Sequence, residues 1–167
     1  MVGVDYSSRA VALSNRHHGA NRVGLAYVPG DAESLPFEAA SFDAIVNVES
    51  SHCYRAMDAF LGEVRRVLRP GGHLLFADFR RGDQLAELDA QLRGSGLIER
   101  RRTDITPNVI EALDIDHARK LAQIEENAPW WIVKVFAQFA GLQGSRIYKQ
   151  LRDGTLTYQS FVLQKTA

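Results

Sequence analysis

Apolar positions along the chain follow two periods, one typical of strands and one typical of helices. Short, mostly apolar runs predict buried strands over residues 2–5, 23–28, 42–48, 73–79 and 155–164. Apolar residues that recur at helical spacing predict helices over residues 8–18, 57–68, 83–92, 108–126 and 130–139. Strands that alternate with helices are typical of βαβ units, which build a mostly parallel sheet with helices on both faces.

Turn-forming residues mark where these segments end. Ser7 or Ser8 can cap the first helix, and Pro70-Gly71-Gly72 stops the helix that precedes it. A tight Asp153-Gly154 turn leads into the last strand, which we expect to run antiparallel to its neighbours. Because no linker, repeat or low-complexity segment interrupts the pattern, residues 1–167 are predicted to form a single α/β domain.

Composition excludes several classes of protein. Apolar residues make up 46% of the chain and charged residues 24%, as in ordinary folded domains. The 20 basic side chains balance the 20 acidic ones, which gives no electrostatic case for a nucleic-acid partner. The single cysteine, Cys53, excludes an internal disulfide, offers no metal cluster and suits a reducing cytoplasm. We find no secretory signal and no apolar run long enough to span a bilayer, so we expect a cytoplasmic protein without metal.

Polar residues follow the first two predicted strands. Asp5 ends an apolar run before a helix, where an acidic residue accepts hydrogen bonds from ribose hydroxyls in dinucleotide-binding folds. In residues 30–37, Gly30 lets the backbone approach a flat ring closely. Asp31 can accept a hydrogen bond from an adenine amine, and Ala32 offers a backbone N–H as donor. Each feature also has a plainer interpretation: Asp5 can simply cap the helix, and residues 30–37 can form a surface turn over a buried Phe37.

The strongest candidate for chemistry is the polar segment after the third strand. Residues 47–54 read Asn-Val-Glu-Ser-Ser-His-Cys-Tyr, and in open α/β sheets ligands bind just beyond the carboxyl ends of the strands. Of the 5 histidines only His52 lies in such a cluster, and its titration range suits a general base. We therefore assign His52 as base or orienting residue, supported by Glu49 and Tyr54. The plainer interpretation is that His52 caps the next helix or is a satisfied core residue.

In order and spacing, these segments resemble the small-molecule class I methyltransferases. The resemblance rests on Asp5, residues 30–37, Ser41-Phe42-Asp43 and Glu63-Val64-Arg65-Arg66-Val67-Leu68-Arg69-Pro70-Gly71-Gly72. Residues 47–54, Ala77-Asp78-Phe79-Arg80 and the tail over residues 141–158 narrow it to the actinobacterial phthiotriolone and phenolphthiotriolone dimycocerosate O-methyltransferases and their fatty-acid and polyketide relatives. The resemblance covers nearly the whole chain and implies a Rossmann-like sheet that binds S-adenosylmethionine.

The resemblance also implies roles for individual residues. Those implied to contact the cofactor are Asp5 at the ribose, Asp31 and Ala32 at the adenine, and Asn47, Val48 and Glu49 at the methionine end. The implied acceptor is a lipophilic small molecule methylated on oxygen, and residues 128–142 are expected to line or cover its pocket. The helical spacing of Trp130-Trp131 and the apolar residues after them favours, by itself, packing in the core.

The chain departs from the family's pattern at its start. Such domains begin with a strand and a Gly-x-Gly-type loop that cradles the methionine part of the cofactor, and only residues 1–4 precede Asp5. The family's sheet order places that strand between the strands at residues 2–5 and 42–48. We therefore expect an N-terminally truncated domain that pairs these strands directly, borrows a strand from another copy or is poorly soluble. Self-association into a homo-oligomer through the open edge is the outcome we expect.

Two other functions remain open from the sequence. A catalytically inactive methyltransferase-like fragment can serve as a binding or interaction module, and cofactor titration distinguishes it from an enzyme. An NAD-dependent oxidoreductase is a weaker alternative, because it also requires a glycine loop and residues 30–37 are not its signature.

Overall fold

The computed structural model describes residues 1–19, 24–127, 129, 131 and 141–166. The strands are β1 (Val2–Asp5), β2 (Ala26–Pro29), β3 (Phe42–Val48), β4 (Leu68–Arg81), β5 (Ile98–Asp104) and β6 (Leu156–Gln164). The helices are α1 (Ser8–Ser14) with a π-helical continuation (Asn15–Gly19), a 3₁₀ turn (Ser51–Cys53), α2 (Met57–Val67), α3 (Gly82–Gly94), α4 (Thr106–Asn127) and α5 (Arg146–Arg152). Of these described helices, none combines the length and apolar character needed to cross a membrane.

The strands form two sheets. β1 pairs with β2 in parallel, and the four-stranded sheet has the order β3-β4-β6-β5. β3 and β4 are parallel, whereas β6 runs antiparallel to both β4 and β5. This arrangement confirms the predicted α/β class with an antiparallel last strand.

The edges of β1 and β3 stay unpaired. In the described part of the chain, β1 pairs only with β2 and β3 only with β4. On β3, Val46 is 67% exposed and Val48 is 55% exposed, and Leu75 on the neighbouring β4 is 41% exposed. Of the three outcomes that the sequence left open, direct pairing of the strands at Val2 and Phe42 is therefore not the one seen among the described residues. Hydrogen bonds from the β2–β3 loop to Glu63 and Arg66 of α2 fix the position of this loop.

The main core lies between the four-stranded sheet and helices α2 and α3. Inward-facing side chains alternate along the two central strands, and Leu74, Phe76, Phe161 and Leu163 are each at most 1% exposed. One stripe of α2 supplies the facing layer, formed by Met57, Phe60, Leu61 and Val64. A smaller cluster on the opposite face joins β6 to α4 and α5. Both layers support the strand ends that carry the polar segment after β3.

Two elements were not predicted from the hydropathy pattern. β5 is an edge strand, exposed along most of its length. α5 has 7 residues and is capped by Ser145, whose Oγ accepts a hydrogen bond from the Tyr148 N–H at 3.2 Å. An exposed edge strand and a short helix each bury too few apolar residues to establish a period.

Most of the aromatic segment lies outside the described residues. The predicted helix over residues 130–139 and the pocket-lining role of residues 128–142 therefore stay predictions. Trp131, which is described, is 65% exposed and is not packed in the core that the helical spacing favoured. Spacing predicts which side chains share a face of a helix, but it does not tell whether another element covers that face.

Two glycines are expected to respond to alanine in opposite directions. A Cβ at Gly72 would lie 2.9 Å from the carbonyl oxygen of Arg69 and 3.0 Å from that of Asp43, whereas a Cβ at Gly62, within α2, would have nothing within 4 Å. We expect Gly72→Ala to lower the free energy of unfolding by about 1–3 kcal/mol, because backbone must shift to admit the methyl group. Gly62→Ala should raise it by about 0.5–1 kcal/mol, because alanine loses less backbone entropy in a helix. Urea unfolding of both variants measures the difference, and equal shifts would contradict this packing.

Candidate active site

Asp5 lies where β1 and β2 end together. The Ser7 N–H donates to Asp5 Oδ1 at 2.7 Å, and the Gly30 N–H donates to the Asp5 carbonyl at 3.1 Å. Asp5 is exposed, and its Oδ2 accepts no hydrogen bond from the described residues. One carboxylate oxygen is therefore used for the local turn, and the other is available to a ligand.

Asp31 and Ala32 form the turn that follows β2. The Glu33 N–H donates to Asp31 Oδ1 at 2.9 Å, which closes the turn, and within the described ranges Asp31 Oδ2 has no donor. Ala32 is half-buried and packs against the main core. The Glu33 carboxylate in turn accepts a hydrogen bond from the Arg55 N–H at 2.6 Å, just after the polar segment that follows β3. This contact joins the two groups of predicted site residues.

The rest of this loop is fastened to α2 through Glu63 and Arg66. The Leu35 N–H donates to Glu63 Oε2 at 2.7 Å, and Arg66 Nη1 donates to the Phe37 carbonyl at 2.6 Å. The hydrogen bond from Arg66 lowers the pKa of Glu63, burial opposes that shift, and the Leu35 N–H adds to the lowering. Glu63 therefore stays ionised at neutral pH and holds the loop against the helix.

Asn47, Ser50 and Tyr54 form a hydrogen-bonded group beside the end of β3. Asn47 Nδ2 donates to Tyr54 Oη at 2.7 Å, and Ser50 Oγ shares a hydrogen bond of 2.7 Å with the same oxygen. Asn47 is 9% exposed, and its Oδ1 is buried without a partner in the described part of the chain. An unpaired buried carbonyl costs about 1–3 kcal/mol. This atom is therefore a ready acceptor for a donor that the described residues do not supply.

Val48 and Glu49 lead out of β3. Val48 is exposed, and Glu49 has a φ of 50°, a left-handed conformation that is uncommon for a residue with a side chain. The Glu49 N–H donates to the Ala77 carbonyl at 2.9 Å, which keeps this turn against β4. Burial raises the pKa of the Tyr158 hydroxyl, and the negative charge of the nearby Glu49 carboxylate adds to this shift. Glu49 thus interacts with Tyr158 of β6, and the carboxylate that contacts His52 belongs to another residue.

That partner is Asp78, whose side chain is fully buried on β4. His52 Nδ1 lies 2.8 Å from Asp78 Oδ1, and the backbone N–H of His52 donates to Asp78 Oδ2 at 3.0 Å. The ring rests against Phe79, with centroids 4.4 Å apart, and the side chain is 29% exposed. An ionised carboxylate only accepts, so Nδ1 carries the proton in this bond and the Nε2 of the neutral ring keeps its lone pair.

Ser51 and Arg80 keep the Asp78 carboxylate charged in its buried position. Ser51 Oγ donates to Asp78 Oδ2 at 2.6 Å, and Arg80 Nη1 lies 3.3 Å from the same oxygen. Arg80 Nη2 also donates to Ser51 Oγ at 2.7 Å. Burial by itself raises the pKa of Asp78, but the hydrogen bonds from Ser51 and His52 and the positive charge of Arg80 outweigh it, so the net pKa is lowered.

Asp78 and Arg80 were not among the site residues predicted from the sequence. Both lie in a strand whose other residues are largely apolar, where a single carboxylate gives no periodic signal. Their position after an apolar run, in Ala77-Asp78-Phe79-Arg80, was the available indication. What makes Asp78 a site residue is the register that pairs Val48 of β3 with Ala77 of β4.

A cavity of about 720 Å³ opens beside this pair. His52, Tyr54 and Phe79 line it together with Leu88 and Leu156, and most of the other lining side chains are polar or charged. A groove of about 800 Å³ between α2 and α3 contains none of the predicted site residues. The cavity at His52 is therefore a better candidate for the acceptor-binding site than the groove between α2 and α3.

The lowered pKa of Asp78 predicts a loss of stability in acid. An aspartate whose pKa is lower in the folded chain stabilises it fully above the ordinary range, and this stabilisation is lost as the pH falls below about 4. Asp78→Asn should lower the free energy of unfolding at neutral pH by about 3 kcal/mol, because Arg80 loses its buried partner. The variant should also lose stability less steeply in acid than the wild type. Urea unfolding across this pH range measures both effects.

Asp43→Asn is the matched control for that substitution. Its partner Arg69 lies at 2.8 Å, but the two side chains are 50% and 81% exposed, so the cost should be below about 1 kcal/mol. An Asp78→Asn variant with the same acid dependence as the wild type would contradict the assigned charge state.

Comparison with known proteins identifies the relatives of this fold. Residues 1–76 match the family described as Methyltransferase domain. The chain is 37% identical over 98% of its length to phthiotriol/phenolphthiotriol dimycocerosates methyltransferase 1 of Mycobacterium ulcerans, and 34% identical over 99% to fatty-acid O-methyltransferase of Mycolicibacterium smegmatis. It spans 58% and 59% of the lengths of these two relatives.

A solved structure agrees with this placement at the level of the fold. Phosphoethanolamine N-methyltransferase 2 of Haemonchus contortus, in complex with S-adenosyl-L-methionine, has a TM-score of 0.71 at 20% identity. The match covers 99% of this chain and 43% of that one. In sequence over nearly its whole length, and in fold, the chain is thus similar to the class I S-adenosylmethionine-dependent methyltransferases.

Proposed function

We propose that this chain is the acceptor-side part of an enzyme that transfers a methyl group from S-adenosylmethionine to an oxygen of a lipid-like small molecule. The observation that carries the proposal is the His52–Asp78 pair beside a cavity whose lining combines apolar side chains, among them Phe79, Leu88 and Leu156, with polar and charged ones. The names of the relatives, which refer to dimycocerosates and to fatty acids, support a lipophilic acceptor.

The described residues fit the adenosine part of the cofactor. The free carboxylate oxygens of Asp5 and Asp31 can accept hydrogen bonds from ribose hydroxyls and from an adenine amine. Ala32 offers a backbone donor next to Asp31. Asn47, with its unpartnered Oδ1, and Val48 would border the methionine part. When bound, S-adenosylmethionine supplies a methyl group that is already activated on a positively charged sulfur.

The chain's own residues then have to orient the acceptor and remove its proton. His52 Nε2 takes the proton of the acceptor hydroxyl, while Asp78 holds Nδ1 and stabilises the imidazolium that forms. Tyr54 is kept in place by Asn47 and Ser50 and lines the same cavity. Glu49 positions the turn between the strand end and His52. In this arrangement His52 is the catalytic residue and Asp78 a positioning residue.

A second function, as an interaction module, is supported by a different observation. Val46 and Val48 are exposed on a strand whose edge has no partner in the described ranges. Unpaired parallel edges with apolar side chains favour pairing with another strand. If the chain neither binds the cofactor nor transfers a methyl group, this function explains the structure better.

The acceptor class is tested by methyl transfer from labelled S-adenosylmethionine. Long-chain acid, alcohol and amine of equal chain length are offered in parallel, and a short-chain alcohol serves as control. The assay uses the 167-residue chain and the same chain extended by the part of the Mycobacterium ulcerans relative that lies outside the matched region. We expect label in the methyl ester or methyl ether of the long-chain acceptors. Label in the amine alone, or equal label in the short alcohol, would rule out this acceptor class.

A further inference from the structure

Helix α2 begins without a cap of its own, and Glu33 from the turn after β2 supplies one. The N-cap residue Ala56 makes no side-chain hydrogen bond to the helix. Glu33 Oε1 instead accepts hydrogen bonds from the Arg55 N–H at 2.6 Å and the Ala56 N–H at 3.1 Å. A carboxylate here meets backbone N–H groups that have no partner within the helix and the positive end of the helix dipole.

The same glutamate is held by Asp31. The Glu33 N–H donates to Asp31 Oδ1 at 2.9 Å, so the position of Glu33 depends on the side chain of Asp31. On the other side, Arg55 follows the 3₁₀ turn that carries His52. Hydrogen bonds therefore connect Asp31 through Glu33 to the backbone of Arg55, which follows His52 in the chain.

We infer that Glu33 is a positioning residue that sets the place of His52 relative to the turn that binds adenine. This inference rests on the proposed function, in which Asp31 contacts the cofactor and His52 takes the acceptor proton. A displacement of Asp31 then alters the position of His52 through the Glu33 carboxylate. Binding of adenine at the turn and binding of the acceptor in the cavity therefore affect each other. A cap that served stability alone would show no such link.

Glu33→Ala, Glu33→Gln and Asp31→Ala separate these two roles in the cofactor-free chain. Glutamine keeps an acceptor oxygen for the two N–H groups, and alanine removes it. We expect amide exchange at Arg55 and Ala56 to become about tenfold faster in Glu33→Ala and to stay within about threefold of wild type in Glu33→Gln. This measurement establishes the cap but does not yet test the link.

The link is tested by the ring resonance of His52. Asp31→Ala should shift the Cε1–Hε1 signal of His52 in the wild-type and Glu33→Gln backgrounds, and should leave it unmoved in the Glu33→Ala background. Glu63→Gln is the matched control, because it weakens the contact of the same loop with α2 at Leu35 and leaves the Glu33 contacts in place. In that background the effect of Asp31→Ala on His52 should persist. An equal shift with and without Glu33, or no shift in the wild type, would overturn the inference.

Kinetics of the extended chain give an independent reading. Glu33→Ala should lower kcat about 10- to 100-fold at saturating cofactor and acceptor, because a misplaced base reacts poorly. Glu33→Gln should restore most of the rate, and Asp43→Asn, at the exposed pair with Arg69, should keep the wild-type kcat. Unchanged kcat in Glu33→Ala, alongside fast exchange at Arg55 and Ala56, would reduce Glu33 to a helix cap. If the wild type transfers no methyl group, the proposed function fails by itself, and the His52 resonance still decides whether Glu33 links the two sites.

Discussion

The 167-residue chain should bind S-adenosylmethionine at least about 100-fold more weakly than the same chain extended by the part of its Mycobacterium ulcerans relative that lies outside the matched region. The reason lies between β1 and β3. Asp5 ends one sheet and Asn47 lies in the other, and no described strand or loop between them offers backbone N–H groups to the methionine part of the cofactor. Each hydrogen bond to a charged group contributes about 1.5–3 kcal/mol, so losing two of them accounts for this difference.

The same unpaired edges should make the 167-residue chain self-associate. Val46 and Val48 are exposed beside a row of unpaired backbone groups, and a second copy can cover them by adding a strand. The extended chain should be monomeric if the added segment supplies a strand that covers this edge. Calorimetric titration with S-adenosylmethionine and sedimentation of both proteins measure the two effects together. Micromolar binding by a monomeric 167-residue chain would show that no further strand is needed.

His52→Gln should lower methyl transfer to a long-chain alcohol about 10²- to 10⁴-fold. Glutamine keeps a polar side chain at this position but cannot take the hydroxyl proton. With a long-chain acid, whose oxygen is already ionised at neutral pH, the same substitution should cost only about tenfold, because positioning alone is affected. Initial rates with both acceptors, measured on the extended chain at saturating cofactor, separate proton removal from orientation.

His73→Gln is the control for that substitution. His73 is half-buried, lies before Asp78 on β4 where it pairs with Ala44 of β3, and is not among the predicted site residues. Its substitution should leave the rate within about twofold of wild type. Equal losses for the two acceptors in His52→Gln would make His52 an orienting residue, and wild-type rates would remove it from the mechanism.

Much of the fold followed from the local pattern of the chain. β3 and β6 were located to within a residue at each end, because each has a mostly apolar or alternating run that few other elements share. The antiparallel direction of β6 followed from the tight turn at Asp153-Gly154. β5 and α5 were missed because β5 is mostly charged and α5 has only 7 residues.

The sequence by itself determined the class of fold and the segment that carries the chemistry, because both depend on periods and turns between neighbouring residues. His52 could be singled out since a polar cluster directly follows a buried run. Only the tertiary structure decided that Asp78, 26 positions away, is its partner, and that Glu33 reaches Arg55 across 22 positions. The tertiary structure also decided that β1 and β3 stay apart. Strand register and loop-to-helix contacts set these distances, and they arise from packing between segments that carry no trace of one another in their own sequences.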